Sequence, residues 1–165
     1  MADVKLYHFK DDGTIPNNPS LGAVFYPGAF KENPEEIEKT FNNSNWTNSW
    51  TGDVFDYHHY HSNTHEALGV RSGSATLQLG GEQGEMIEIK TGDIAVLPAG
   101  TGHKKLSGSS DFQIVGAYPG GVSPNKKTGE PGERPYVLED IPNTPLPKPT
   151  PFMGIKDRFS ITGLK

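Results

Sequence analysis

The sequence predicts an all-β domain built from short antiparallel strands, arranged as a barrel or a sandwich. Three observations lead to this fold class. Between residues 53 and 118, apolar and polar residues alternate in short runs. Glycine-containing turns separate these runs at intervals of roughly 8–12 residues, which is typical of all-β domains. No segment of helix length interrupts them, and this argues against a parallel α/β sheet.

The composition limits the class of protein. A chain of 165 residues fits one domain with terminal extensions. It contains no cysteine, which excludes disulfides, thiolate zinc sites and cysteine nucleophiles, and fits a cytoplasmic protein. The net charge of −5 argues against nucleic acid and anionic membranes as partners. No apolar run approaches the length of a membrane span, and residues 1–10 lack the apolar stretch of a secretion signal.

Residues 1–50 are interpreted as an N-terminal arm that leads into the barrel. Leu6–Phe9 and Val24–Tyr26 are short strand candidates. A helix is predicted at about 34–43, because Pro34 suits the first helical position. Asn33 and Glu36 have the spacing of a capping box.

Residues 51–120 are predicted to form the barrel core. The strand candidates, in chain order, are 55–61, 66–70, 75–79, 87–89, 94–97 and 112–118. Residues 121–165 are predicted to be an extended, turn-rich C-terminal segment, because its prolines disfavour helix interiors and ladder strands. Phe152, Ile155 and Phe159 are expected to dock back onto the barrel. A polyproline recognition ligand is the rival interpretation of this segment.

Histidines in two short windows indicate the chemistry. Alternate residues of a strand share a face, so His59 and His61 are expected to lie together, beside Phe55 and Tyr57. Two histidines facing an apolar interior are costly without partners, and a shared metal ion would satisfy both. Glu66 follows across a turn and can supply a carboxylate ligand. His103 follows a glycine-rich turn where a neighbouring strand would start.

These residues resemble the two motifs of the cupin superfamily. The first motif is matched by His59, His61, Glu66 and Gly73. The second is matched by Gly92, Pro98, Gly100 and His103, with Ser107 in place of an asparagine. The resemblance covers about residues 52–118. It implies a jelly-roll barrel, the antiparallel double-stranded β-helix, with His59, His61, Glu66 and His103 as ligands of one divalent metal.

Several alternatives stay open for the site. His65 is an extra candidate ligand, although alternation turns it away if Glu66 points inward. A buried polar network without metal is the alternative to a metal site. The ligand set suits Fe, Mn, Ni or Zn, and an octahedral ion would keep two positions for water, oxygen or substrate.

The expected function is that of a metal-binding cupin acting on a small organic molecule, with a dioxygenase as the first hypothesis. A sugar or keto-enol isomerase and a non-catalytic binding protein are the alternatives, because one fold hosts many chemistries. The expected pocket wall consists of Phe55, Tyr57, Leu68 and Phe112. A homodimer is also predicted, since the arm could cover a sheet edge of its own chain or of a partner.

Overall fold

The computed structural model describes residues 3–147 and confirms the all-β antiparallel fold class, with two antiparallel sheets as in a jelly roll. The nine strands are β1 (Lys5–Tyr7), β2 (Ala23–Tyr26), β3 (Trp46–Gly52), β4 (Glu66–Ser72), β5 (Ser74–Leu79), β6 (Glu85–Lys90), β7 (Ile94–Leu97), β8 (His103–Gly108) and β9 (Gln113–Pro119). The larger sheet has the order β1-β2-β7-β4-β9-β3, and the smaller one has the order β6-β5-β8. Two helices accompany them, α1 (Ile37–Asn43) and α2 (Tyr136–Asn143).

The apolar core lies between the two sheets. Strand β5 shows why: Ala75, Leu77 and Leu79 are buried, whereas the residues between them are more exposed. This period-two pattern puts one face of the smaller sheet inside and one outside. The buried side chains meet Leu68 and Ile114 of the larger sheet in one cluster.

Strand β4 is buried on both faces for most of its length. Helix α1 covers the outer face of the larger sheet and buries Ile37 and Phe41 there. Gly69 permits this close packing, because a Cβ atom at that position would lie 2.5 Å from Cγ2 of Ile37. The strand that begins with Glu66 is therefore enclosed by the protein on both sides.

The predicted helix is present as a 3₁₀ turn, Pro34–Glu36, followed by α1. The predicted capping box is wrong, since the side chain of Asn33 makes no capping hydrogen bond. Tight 3₁₀ geometry begins the helix at Pro34, so the Asn33 side chain does not meet the free N–H groups of an α-helical first turn.

The first fifty residues contribute more to the barrel than predicted. Strand β1 pairs with β2, and β2 pairs with β7, so this arm extends the sheet of its own chain. Strand β3, which the sequence analysis did not find, pairs with β9. A register shift between Thr47 and Trp50 interrupts that pairing, and such a bulge hides the regular alternation that marks a strand.

The predicted extended conformation of residues 121–165 is wrong at α2. Pro142 is the seventh of the eight residues of this helix. It therefore lies in the last turn, where the helix is ending, and not in the middle of the helix. Val137 and Ile141 lie on the same face and pack against Ile15 and Tyr60, which stabilises the helix by burial. The predicted docking of Phe152, Ile155 and Phe159 lies outside the described residues. Neither described helix is long and apolar enough to cross a membrane.

Candidate metal centre

The four predicted ligands come together between the sheets at one end of the barrel. Glu66 is the first residue of β4 and His103 the first residue of β8. His59 and His61 lie in the segment between β3 and β4. The prediction of a regular strand at 55–61 is wrong, because this segment makes only isolated bridges, from His59 to His103 and from Tyr60 to Lys127.

The predicted alternation of side chains along that segment is nevertheless present. The ring centroids of His59 and His61 are 5.9 Å apart, and the ring of Phe55 contacts His59 at 5.0 Å. The ring centroid of Tyr57 lies 5.8 Å from that of His59, on the same side of the segment. Tyr60 points the other way, into the cluster under α2. Extended backbone therefore presents both histidines to the same centre without a ladder of hydrogen bonds.

Each of the three imidazoles is oriented by a backbone carbonyl. His59 Nδ1 bonds the carbonyl of Tyr57 at 3.1 Å, and His103 Nδ1 bonds that of Thr101 at 3.1 Å. His61 Nδ1 bonds the carbonyl of Asn125. A carbonyl oxygen only accepts hydrogen bonds, so each Nδ1 carries the proton and donates it. The Nε2 atom of each ring is therefore free of these backbone bonds and can contact a carboxylate or a metal ion.

Glu66 is the anionic member of this group. Its Oε1 lies 3.1 Å from Nε2 of His61 and 3.4 Å from Nε2 of His103. Burial favours the neutral acid, but hydrogen bonds from His103 and His61 lower the pKa of Glu66 below its ordinary range. The carboxylate is therefore ionised in a site from which water is almost excluded.

The imidazoles beside Glu66 differ in their affinity for protons. Burial, together with repulsion from His103, lowers the pKa of His59 to about 2. Burial also opposes charge on His61, but the hydrogen bond to Glu66 raises its pKa above the ordinary 6.5. His59 is thus neutral, while His61 is the more basic of the two rings because Glu66 faces its Nε2.

The donor set fits a divalent metal ion. Ring nitrogens of His59, His61 and His103 lie within 4.8 Å of one another. Ligands at roughly 2.1 Å from one ion are separated by about 3 Å, close to the observed distances from Glu66 to its two histidine partners. An ion at their centre would bind in competition with protons, because neutral imidazole and ionised carboxylate are the forms that act as ligands.

Comparison with known proteins finds a matching family and a close relative in sequence. The cupin domain family matches residues 48–110. The uncharacterized protein YjlB of Bacillus subtilis (strain 168) is 47% identical over 155 residues, which cover 94% of this chain and 93% of that protein.

The chain belongs to the cupin family.

Solved structures with a similar fold include two enzymes. The WlaRB TDP-quinovose 3,4-ketoisomerase of Campylobacter jejuni is 15% identical, with a TM-score of 0.42 over 59% of this chain and 75% of that one. The acireductone dioxygenase of Bacillus anthracis, solved with a cadmium ion in its active centre, is 16% identical, with a TM-score of 0.36 over 54% of this cupin and 57% of that chain. Neither likeness bears on the reaction of this cupin.

His65 is not part of the ligand group. Its Nδ1 accepts a hydrogen bond from the N–H of Ala99 at 2.9 Å, and its Nε2 donates to the carbonyl of Pro145 at 3.2 Å. Burial lowers its pKa to about 4. Strand alternation at the start of β4 turns this ring away from Glu66. His65 therefore joins the turn at Ala99 to the end of α2, which is a structural role.

A cavity of about 350 Å³ opens beside the three histidines and Glu66. Two of the predicted wall residues, Phe55 and Leu68, line it. Tyr57 is not among the lining residues. Its ring contacts that of His59, and its hydroxyl accepts a hydrogen bond from Lys126 at 2.5 Å.

The prediction that Phe112 lines the cavity is wrong. Strand β9 runs antiparallel to β4, with Gln113 opposite Ser72 and Ala117 opposite Ala67. Phe112 therefore lies at the far end of the sheet from Glu66, in the apolar core. Ile114 and Tyr118 of the same strand line the cavity instead.

Several further residues of this cupin belong to the cavity but were missed in the sequence. They include Trp50 of β3, Tyr118 of β9, and Asn125 and Lys126 of the segment after β9. Trp50 Nε1 donates to the hydroxyl of Tyr118 at 2.8 Å. Burial, followed by the negative charge of Glu66, raises the pKa of Tyr118, so that its hydroxyl is protonated.

The sequence carried only weak signals for these four residues. Tyr118 shares the inward face of β9 with Ile114, so alternation along the strand could have found it. Asn125 and Lys126 lie in a turn-rich segment that is far from the motifs in sequence, where no local pattern marks them.

Proposed function

We propose that this protein is a metal-dependent cupin enzyme that acts on a small organic molecule in the cavity beside His59, His61, Glu66 and His103. The observation that carries the proposal is the orientation of the three imidazoles. Each one donates through Nδ1 to a backbone carbonyl, which leaves the Nε2 atoms to serve as ligands beside an ionised carboxylate.

The ligand set supports a divalent transition metal, with Fe, Mn, Ni and Zn as the candidates. When bound, such an ion would polarise a substrate oxygen and, if it is Fe or Mn, could support oxygenation. The backbone carbonyls of Tyr57, Asn125 and Thr101 would hold the rings in place as the ion binds.

The walls of the cavity support an organic substrate. Val54, Leu68 and Ile114 give it an apolar lining, and Trp50 extends that lining. Such surfaces bury the carbon skeleton of a ligand and exclude water from the reacting groups. We place an oxygenase first, because four protein ligands would leave an octahedral ion with two open positions.

Isomerisation is the second candidate, and Tyr118 is the observation that favours it. Its protonated hydroxyl lies in the cavity wall, hydrogen-bonded to Glu66 and Trp50. A keto-enol or sugar isomerase needs a side chain that can donate a proton to the substrate, and this phenol could do so. A binding protein without turnover is the third possibility.

The reaction class can be tested with protein that has been reconstituted with Fe(II) or Mn(II). Small hydroxy acids, diketones and reducing sugars are incubated with it, while an oxygen electrode records dioxygen uptake and NMR in D₂O records exchange of carbon-bound hydrogen. Dioxygen uptake that depends on the metal and on His59 and His61 supports an oxygenase. Hydrogen exchange without dioxygen uptake supports an isomerase. Ligand binding with neither signal contradicts an enzymatic role.

Homodimerisation and a cytoplasmic location belong to the same proposal. Strand β1 is an edge strand of the larger sheet, and Leu6 within it is 45% exposed, so a second copy could pair there. The lack of cysteine agrees with a reducing compartment. Light scattering that shows a monomer at micromolar concentration would contradict the dimer. Cell fractionation that places the protein outside the cytoplasm would contradict the location.

A further inference from the structure

We propose that Lys126 recognises the carboxylate of the substrate, so that the cavity selects small organic carboxylates with an apolar body. This inference rests on the proposed function, because it assigns a substrate class to the same cavity. Lys126 lies at the edge of the cavity, in the segment that follows β9.

Lys126 is the one lysine or arginine among the described residues that line the cavity. The acidic wall residue Asp53 is already paired, since its carboxylate lies 2.6 Å from Nζ of Lys105. Within residues 3–147, no carboxylate forms an ion pair with Lys126. Its charge is therefore available to a ligand.

The ammonium group of Lys126 is held in a defined place. Nζ lies 4.4 Å from the centroid of the Phe55 ring and 5.1 Å from that of Tyr57. It also donates to the hydroxyl of Tyr57 at 2.5 Å. Cation–π contacts and this hydrogen bond favour one position for a side chain that would otherwise be mobile. Because Phe55 also contacts the ring of His59, the cation lies one aromatic ring away from a proposed metal ligand.

The backbone around Lys126 is tied to the same site. Lys127 and Tyr60 exchange two backbone hydrogen bonds of 2.9 Å. The side chain of Asn125 accepts from the N–H of Ser62 and donates to its hydroxyl, both at 2.9 Å. The carbonyl of Asn125 also holds His61. The segment that carries the cation is thus a fixed wall of the cavity.

The charges favour an anion in this cavity. Of its two carboxylates among the described residues, Asp53 is paired with Lys105, and Glu66 contacts His61 and His103. A divalent ion bound beside Glu66 would more than neutralise it. Lys126 adds further positive charge. An anionic ligand would balance this surplus, and a carboxylate can accept charge-assisted hydrogen bonds from an ammonium group. The apolar side chains of Val54, Leu68 and Ile114 favour an organic anion over an inorganic one.

Ligand binding to zinc-loaded protein tests the inference without any need for turnover. Benzoate, which is anionic at neutral pH, is compared by calorimetry with neutral benzamide and with inorganic phosphate. The variants are Lys126→Met, which keeps an apolar chain over the rings, Lys126→Arg, which keeps the charge, and Lys127→Met as the matched control. Lys127 does not line the cavity.

Wild-type protein is expected to bind benzoate about tenfold more tightly than benzamide. Lys126→Met should lose this preference while benzamide binding is unchanged, whereas Lys126→Arg and Lys127→Met should retain it. Equal benzoate affinity in Lys126→Met and wild type would overturn the inference, as would a wild type without any preference for benzoate. Phosphate binding as tight as that of benzoate, with the same dependence on Lys126, would overturn the organic class.

The zinc content of the same samples separates this inference from the proposed function. Wild-type protein that takes up no zinc, and none of Fe, Mn or Ni when these are offered instead, overturns the proposed function. A preference for benzoate that persists in such protein, and disappears in Lys126→Met, would still support the anion site. Loss of the preference in a Lys126→Met sample with full zinc content supports both.

Discussion

The two halves of the proposed metal centre are built in different ways. Glu66 and His103 begin regular strands, where Glu66 pairs with Leu97 and His103 pairs with Leu79. His59 and His61 lie outside the sheets, in a segment that is tied by isolated bridges. We call Glu66 and His103 the strand-borne half and His59 and His61 the segment-borne half. Continuous ladders of hydrogen bonds position the strand-borne half, whereas the segment-borne half depends on a few contacts with distant segments.

This difference indicates where the site can be altered without loss of the barrel. The strand-borne half lies beside the apolar core between the sheets, so changes there affect folding as well as ligation. The segment-borne half is held by Asn125, which bonds to His61 and Ser62, and by Lys127, which bonds to Tyr60. Changes in those residues should affect the metal more than the fold.

Removal of both segment-borne ligands should have the largest effect. We expect the double variant His59→Ala/His61→Ala to bind no measurable metal, because Glu66 and one imidazole are too few ligands. Circular dichroism should still show the folded barrel. His58→Ala is the matched control, since its ring lies in the same segment and bonds Glu82 at 2.9 Å instead of the centre. Metal in the double variant would contradict the assignment of both ligands.

Removal of the strand-borne imidazole should have a smaller effect. His103→Ala would leave His59, His61 and Glu66, a set of two imidazoles and one carboxylate that still supports an iron site. We expect measurable metal with affinity lowered by about tenfold to a hundredfold. Equilibrium dialysis against Zn²⁺ or Mn²⁺ measures this change. Wild-type affinity in His103→Ala would show that His103 is not a ligand.

The side chain of Asn125 offers a test of the segment-borne half alone. Asn125→Ala keeps the carbonyl that holds His61 but removes two hydrogen bonds to Ser62. We expect metal affinity to fall by about tenfold, in the range typical of residues that orient ligands. The midpoint of thermal unfolding of metal-free protein should change little. A large loss of stability without a change in affinity would contradict the separation of the two halves.

The smallest effect on metal binding is expected from Gly116→Ala. A Cβ atom at this position in β9 would collide with the indole of Trp50, which would have to move from its hydrogen bond with Tyr118. We expect a loss of about 1–3 kcal/mol in unfolding free energy, as for overpacked sites, with a shift in tryptophan fluorescence. In the matched variant Gly132→Ala the new methyl group meets nothing within 4 Å. Equal stabilities of the two variants would contradict this packing.

The sequence was sufficient to predict the fold class and the spatial grouping of the four proposed ligands. Turns with glycine at positive φ, such as Gly73 and Gly92, separate strands that alternate regularly, so the pattern could be read locally. His59 and His61 share a face in any extended backbone. Their proximity to Glu66 and His103 was implied by the cupin motifs, and the distances agree with it.

The parts that could not be predicted depend on contacts between distant segments. Phe112 faces inward as expected, but only the register of β9 against β4 determines which end of the barrel it occupies. Helix α2 contains a proline and is stabilised by packing on Ile15 and Tyr60. Lys126 reaches the cavity through the bridge between Lys127 and Tyr60, which no local pattern encodes.

The most direct test of the central claim is a metal titration of the wild-type protein at several pH values, with metal content and proton release measured together. The proposed site predicts about one ion per chain. Burial opposes charge on His61, but the hydrogen bond to Glu66 raises its pKa, so metal binding should release protons and the affinity should fall as the pH decreases through that raised pKa. His59 should contribute little to this dependence, since its pKa is lowered to about 2. Protein that takes up none of Fe, Mn, Ni or Zn, or that binds metal with an affinity independent of pH down to about 4.5, where carboxylates begin to protonate, would contradict histidine ligation at this centre.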